Sequence, residues 1–561
     1  MKRLRRGLLV PPVVPCLLAG ALLALAVPAL AGGPRQADPP SSRAAALPRS
    51  ATPDPQSKPA DPQPGQEPKN DAADAPAKPR PVEDKRIGRA LLEGAAFLTV
   101  SAATYWLRYS EFAEDWQFEY TWHDQRRKFF SGEGTRFDSN RYRTNWPHAW
   151  GGAAYYNLAR TNRLTTAESF LFAAAGSLIW EYLAEWREIS SINDHILTSA
   201  GGMAIGETLF QVGSYFRNRP GAANRVFTLM SNPILGVNDA LDGSTRPARV
   251  PVDTDHDFRF SLGGQSGALT ADGRRPGRRA FTLDMRVVTL PGYGAVGEGR
   301  GYSGRTLDSN VRLDLHWADG AVGEYTIRTR STLFGWWWKR VGRDARGRRN
   351  GYDLWLGGGT AWDVWQKKPI VPYDGNEFGK TYRWFEREQP TRFADKVSSV
   401  HLPGPTFCLT RYDGPVRTRV DLQATVDFGM VNSLAFNRYS AAHDIEGVKT
   451  TLHNWGYYYA FGATLAGKLE VQAGPVLGAA RFEHRRFGSV QGLDRYQADM
   501  TDDSRLHDSR LALGLDLTVL VPRTPAFAVF GVEGIERRGR FHDVDERSRE
   551  TRVTWQLGVR F

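Results

Sequence analysis

The stretch "RETRVTWQLGVRF", residues 549–561, decides the fold class. Val553, Trp555, Leu557, Val559 and Phe561 alternate with Thr554, Gln556, Gly558 and Arg560. Period-two alternation makes a strand with one apolar and one polar face. The pattern recurs upstream from about Asp257. In "AFTLDMRVVTL", Phe281, Leu283, Met285 and Val287 oppose Thr282, Asp284 and Arg286. In "NVRLDLHW", Val311, Leu313, Leu315 and Trp317 oppose Arg312, Asp314 and His316. "VDLQATVDFGM" (Val420 to Met430) and "LALGLDLTVL" (Leu511 to Leu520) repeat it.

A soluble sandwich alternates in the same way, so other features must separate the two. The segments are about 10 residues long, the span of a tilted transmembrane strand. Aromatics gather at segment ends, as in "WWWKR" (Trp336 to Arg340) and "NWGYYYAF" (Asn454 to Phe461), where membrane girdles belong. No stretch reads as an uninterrupted transmembrane helix; the closest, Ala90 to Leu107, contains Glu93. An alternating strand closing on Phe561 resembles the sorting signal of bacterial outer-membrane barrels. The expected fold is therefore α+β: an N-terminal helical unit of about four to five helices, then an antiparallel transmembrane β-barrel of roughly 12 strands. The inward set mixes signs (Asp284, Arg286, Arg312, Asp314, Glu324, Arg328, Arg330, Asp427, Asp516), which points to a filled lumen rather than a pore.

The N-terminal region fits export. Lys2, Arg3, Arg5 and Arg6 precede an apolar run, and Ala29 and Ala31 form an A-x-A site, so residues 1–31 read as a signal peptide for the Sec pathway. Residues 32–83 are Pro/Ala-rich with almost no large apolar side chains and read as a disordered linker. That leaves 84–250 for the helical unit and 251–561 for the barrel. Cys16 leaves with the signal, so Cys408 has no disulfide partner within the chain. The net charge of +12 includes four charges from the signal. Nucleic acid is not an expected partner; outer-membrane lipid and lipopolysaccharide are, together with the barrel-assembly machinery through the strand ending in Phe561.

Between about Lys85 and Gly243 the period becomes helical. Asn145 and Pro147 mark one helix start, and Thr165 with Glu168 forms a capping box for the next, expected to run to about Arg187. Ser190 and Ser191 break it, and a further helix is expected from about Asn193 to Asn218. Gly151 and Gly152 thin one helix, and Gly202 and Gly206 another, so these helices should pack closely. In "SLIWEYLAEWREISSINDH" (Ser177 to His195), Glu181, Glu185 and Glu188 fall at helical spacing and form an acid stripe that needs neutralising.

The segment "NWPHAWGGAAYYNLAR", followed by "SLIWEYLAEWREISSINDHILTSAGGMAIGE", resembles the bacterial family known as domain of unknown function 3943. The resemblance covers roughly residues 140–243 and rests on His148, Gly151, Tyr155, Tyr156, Arg160, Ser177, Trp180, Glu181, Tyr182, Glu185, Glu188, Ser191, Asp194, Thr198, Gly202, Gly206 and Glu207. Two positions depart from the family pattern: Ala149 follows His148 where the family has Pro, and Ile189–Ser190 replaces a Pro–Ser step. The resemblance implies an envelope protein without an assigned activity.

Three chemistries compete for His148, Arg160, Glu181, Glu185, Glu188, Ser191, Asp194 and Glu207. A metal site would use Glu181 and Glu185 with His148 and either Asp194 or Glu207, although the Glu-x-x-His spacing of carboxylate-bridged sites is missing. A hydrolase acting on lipid or lipopolysaccharide would pair Ser191 or Ser177 with His148, without any nucleophile-elbow motif. The favoured reading is a structural polar network in which His148 and Arg160 neutralise the glutamates, with neither cofactor nor metal. Two basic stretches, "DGRRPGRRA" (Arg274, Arg275, Arg278, Arg279) and the run containing Lys339, Arg340 and Arg343, read either as solvated loop tips or as contacts to lipopolysaccharide phosphates.

Overall fold

Twelve antiparallel strands close into a barrel. In chain order the strands are β1 (Thr135–Arg136), β2 (Ser190–Ser191), β3 (Asp255–Leu269), β4 (Gly273–Val288), β5 (Gly297–Ser303), β6 (Asp308–Ala318), β7 (Ala321–Arg343), β8 (Arg349–Pro369), β9 (Ala394–Asp413), β10 (Val416–Val431), β11 (Tyr458–Ala473), β12 (Val476–Ser489), β13 (Leu506–Leu520), β14 (Ala526–Phe541) and β15 (Val544–Arg560). The ring runs β3-β4-β6-β7-β8 and on to β15, which pairs back to β3 with Leu557 opposite Leu262. β5 is an extra short strand on the far end of β7, with Tyr302 opposite Trp336. β1 and β2 form a separate two-stranded parallel sheet.

The computed structural model describes residues 84–110, 121–131, 134–139, 142, 145–186, 188–243, 254–269, 273–290, 292–318, 321–369 and 394–561. The signal and linker readings for 1–31 and 32–83 lie outside the described residues. Lys85–Phe561 form one compact unit.

The pleat sorts side chains as the alternation requires. Leu511, Leu513, Leu515, Leu517 and Val519 point outward and are exposed, as are Leu557 and Val559. The opposite face meets across the barrel. Arg286 on β4 binds Asp308, and reaches Asp421 on β10 at 3.1 Å, five strands away around the ring. Arg328 on β7 lies 3.4 Å from Glu483 on β12, and Arg552 on β15 lies 2.8 Å from Glu324 on β7. His401 bridges Asp427 at 2.7 Å and Asp363 at 3.1 Å, and Asp363 also meets Arg485 from β12. Side chains from strands four or five apart around the ring thus meet across the lumen, and the mixed charges of the inward set pair there.

The helices are α1 (Ile87–Ser110), α2 (Trp122–Phe130), α3 (Asn145–Thr161), α4 (Thr166–Ile179), α5 (Ile192–Ile196), α6 (Gly202–Arg217), α7 (Ala222–Ser231), α8 (Pro233–Leu241), α9 (Leu434–Tyr439) and α10 (Thr450–Trp455). Among the described residues eight of them precede the barrel, more than the four to five expected, because several are short. Thr165 and Glu168 form the capping box as read. Wider π turns, Trp180–Ala184 and Leu197–Gly201, interrupt the two long helical runs. Gly152 and Gly202 are the contact point of α3 and α6. A Cβ on Gly152 would lie 1.8 Å from the Thr198 carbonyl oxygen, and one on Gly202 would lie 2.5 Å from the Gly152 backbone.

The helices lie on the outer wall. Val212, Tyr215 and Phe216 of α6 pack on Phe258, Met285 and Val287. Ala149 and Ala153 of α3, with Leu197 and Ala200, pack on Trp362, Val364, Val400, Phe428 and Met430. Each of these strand residues has the parity opposite to its inward neighbours Asp257, Asp284, Arg286, Asp363, His401 and Asp427. The helical unit, for which the sequence leaves both a plug in the lumen and a periplasmic position open, is a layer against the barrel's outer flank. The same packing corrects the girdle at Asn454 to Phe461. Tyr457 and Tyr459 are buried under this layer, and Tyr458 faces the interior beside Asp508. The stretch Ala90 to Leu107 is also corrected. It belongs to a helix whose Ile87–Leu107 segment is long and apolar enough to cross a membrane. Arg89 pairs with Glu93 at 2.6 Å, and Glu93 turns toward Asn162 and Asn238, so its charge does not interrupt the outer face.

Candidate functional site

The acid stripe dissolves in three dimensions. The π turn ends the helical run at Ala184, and Glu185 sits beyond it at φ −105° and ψ 45°, so the three glutamates do not share one face. Each goes a different way. Glu181 accepts the Ser191 N–H at 2.8 Å, which holds the start of α5 against the end of the π turn. Glu185 accepts the Trp180 indole N–H at 2.8 Å. Glu188 accepts from the Tyr105 hydroxyl at 2.8 Å and from Arg495 at 3.4 Å.

Neither expected cation serves the stripe. Arg160 is spent on Glu207, with contacts of 2.8 and 3.2 Å. The Glu207 carboxylate also accepts from the Tyr156 hydroxyl at 2.8 Å, from Gln211 at 2.7 Å and from Thr306. His148 Nε2 lies 3.4 Å from Asp194 Oδ1. The cations that do meet the stripe were not legible as partners. Lys128 donates to the backbone carbonyls of Glu181 and Glu185, capping the end of the π turn. Arg495, on the connection between β12 and β13, reaches Glu188, Asp138 and the Ile189 carbonyl. Lys128 sits in the last turn of its own helix, where the local rule would pair it with that helix's carbonyls, so its reach to Glu181 and Glu185 had no local signal. Arg495 lies more than 300 residues from Glu188 in sequence, with no local signal to connect them.

The hydrolase and metal constellations do not assemble. Ser177 meets His195 Nδ1 at 3.1 Å rather than His148, and Ser190 meets His195 Nε2 at 2.9 Å. Ser191 donates to Asn193 at 2.8 Å and caps α5 through the Asp194 N–H. Ser177, Ser190 and Ser191 are all buried. Among the described residues no three His, Cys, Asp or Glu side chains are placed to share a cation. Asn193 is the hub of the cluster: it donates to Asn145 and Asp194 and accepts from the Asp138 N–H. One oxygen of Glu181, Oε1, is buried without a hydrogen-bond partner among the described residues.

The two basic stretches lie at opposite ends of the barrel. The side chains of Arg274 and Arg275 lie outside the described residues. Arg279 is exposed on β4, whereas Arg278 points inward and pairs with Glu324 at 3.3 Å, so it is no loop-tip residue. Lys339, Arg340 and Arg343 belong to the far half of β7. Lys339 donates to the Gly292 carbonyl, and Arg340 pairs with Glu298 at 3.2 Å on the surface. At that end Arg343, Arg348, Arg349, Arg417 and Arg560 line a bowl of about 540 Å³ that no carboxylate lines. Asp344 fixes the adjoining turn, and the backbone N–H of Arg348 holds its carboxyl below the usual range.

The connections 414–415, 474–475 and 289–307 share the bowl's end, while 432–457 and 490–505 lie at the other.

Solved structures aligned to the chain include a refined porin, at 8% identity over 55% of this chain and 100% of the porin, with a TM-score of 0.17. OccK8 (OprE) of Pseudomonas aeruginosa aligns at 8% identity over 55% of this chain and 98% of its own, with a TM-score of 0.14. The strand pairing, not these low scores, defines the fold. No curated protein sequence matches the chain. The family model described as domain of unknown function DUF3943 matches residues 134–234, the stretch that holds α3 to α7, the Asn193 hub and the Arg160–Glu207 pair. Residues 134–234 thus match the DUF3943 family model, and they lie on the outer flank of a closed antiparallel β-barrel.

Proposed function

We propose that this is a non-conducting, structural outer-membrane barrel that anchors its DUF3943 domain to the wall. In this reading Sec exports the chain, and the barrel-assembly machinery receives it through the strand ending in Phe561. The observation that carries the proposal is the lumen crossed by ion pairs, with Arg286 bridging Asp308 and Asp421. Passage of a small polar solute would require those pairs to separate, and a buried charge left unpaired costs about 3–5 kcal/mol. The buried serines and the absence of a shared nucleophile–base set favour a polar network that locks helices over catalysis on lipid. Purified full-length protein in planar bilayers is expected to give no single-channel steps. Reproducible steps from the wild-type chain would reject a non-conducting barrel.

A second reading concerns the bowl. Arg343, Arg349 and Arg417, beside Arg348 and Arg560 that already pair with Asp344 and Asp257, favour a phosphate-bearing anion at this mouth, in this reading the periplasmic one, rather than lipopolysaccharide at the outer leaflet. Inorganic pyrophosphate should bind in calorimetry, more weakly as salt rises. Arg417→Gln should weaken it about tenfold, the worth of one charge-assisted hydrogen bond. Equal binding by wild type and variant would place the anion elsewhere.

A further inference from the structure

We infer that the helical domain is embedded in the bilayer beside the barrel, with lipid acyl chains covering the outer faces of α1 and α4. The barrel wall supplies the first reason. Around the bare flank the outward residues are leucines and valines such as Leu513 and Leu515, as lipid requires. Beneath the helices the outward set includes Ser309, Thr329 and Ser331, all buried. Ser331 hydrogen-bonds Thr208 of α6 at 2.9 Å and Ser309 at 2.8 Å. That flank is built for helices, and the helices stand where lipid stands elsewhere.

The far side of the layer is the second reason. On α1, Leu91, Leu92, Val100 and Leu107 are exposed, and on α4 so are Leu171 and Leu178. An apolar surface spread over two neighbouring helices marks an interaction site rather than a solvated one. Its composition matches the bare barrel wall, where Leu513, Leu515 and Leu517 are likewise exposed, and the occupant that suits both is lipid. Polar groups on this face are internally satisfied: the Thr99 and Thr104 hydroxyls donate to the carbonyls of Ala95 and Val100. Hydrocarbon demands that arrangement.

Dimensions and end chemistry agree. At 1.5 Å per residue the 24 residues of α1 extend about 36 Å, enough for a hydrocarbon core of about 30 Å. Charges collect at its first turns, where Lys85 pairs with Glu168 and both Arg86 and Arg89 pair with Asp242. Near its other end Tyr105 packs against Trp180, and Trp106 against Trp186. A charged end and an aromatic end are the interfacial anchors of a membrane-spanning helix.

The test is spin-label accessibility in full-length protein reconstituted in phosphatidylcholine–phosphatidylglycerol vesicles. Cys408→Ser removes the buried background thiol, and heat-modifiability on gels confirms that each labelled variant is folded. Labels go on Val100→Cys and Leu178→Cys, each about 18–20 Å along its helix from the first residue. Leu513→Cys is the lipid-facing benchmark, and Arg346→Cys in the β7–β8 turn is the aqueous one. Both helix labels should match Leu513→Cys, relaxed strongly by oxygen and weakly by a water-soluble nickel chelate. Helix labels that follow Arg346→Cys would overturn the inference, because they would place the domain in water. Labels shielded from both probes would overturn it too, because a protein would then cover the face. Neither result depends on whether the lumen conducts.

Discussion

Replacing Arg160 by methionine is expected to destabilise the protein by about 3–5 kcal/mol, the cost of stranding a buried charge. Glu207 is fully buried and receives two contacts from Arg160. Methionine keeps much of the volume and removes the counter-charge. Tyr156, Gln211 and Thr306 would still donate to the carboxylate, but all three are neutral. Adding Glu207→Gln should recover a large part of the loss, since the charge is then absent while the donors keep an acceptor. Guanidinium unfolding in micelles, followed by tryptophan fluorescence, measures both variants. A single variant within about 1 kcal/mol of wild type would show that the pair is dispensable, as exposed pairs are.

Arg286→Met should have a similar effect from inside the barrel. Arg286 is the shared cation for Asp308 and Asp421. Arg419 would remain on Asp421 at 3.0 Å, so the orphan left behind is Asp308. Asp308→Asn in the same chain should therefore rescue more stability than Asp421→Asn. The temperature at which the folded band converts on gels gives the ranking. Equal rescue by the two would mean that Arg419 does not hold Asp421 alone.

Glutamate spacing shows where sequence reading reached its limit. Glu181, Glu185 and Glu188 line up on a regular helix, but a π turn shifts the register and the chain leaves helical geometry at Glu185. Periodicity assumes a constant angle per residue, and nothing in "WEYLAEW" marks the extra residue in the turn. The capping box at Thr165 and Glu168 was legible because both partners sit within one turn of each other. The Arg160–Glu207 pair was not, because two separate helices contribute to it. Gly152 and Gly202 were legible as points of close approach, since a missing Cβ is a local property; that each would meet the other's helix was not.

The sequence by itself determined that this is a barrel with an apolar outside and a charged inside. Alternation is local, and each strand carries its own two faces. It also determined that a helical segment resembling the DUF3943 family precedes the strands. The tertiary structure alone decided what covers each apolar face. Phe428 and Met430 read like Val426 on the same strand face, yet Val426 is 57% exposed and the other two are buried under the helical layer. Helix and lipid both remove an apolar side chain from water, so an outward-facing Phe carries no mark of which one it will meet. Only the fold, by laying α3 and α6 along one flank, assigned that flank to protein and left the outer faces of α1 and α4 in the position of the wall.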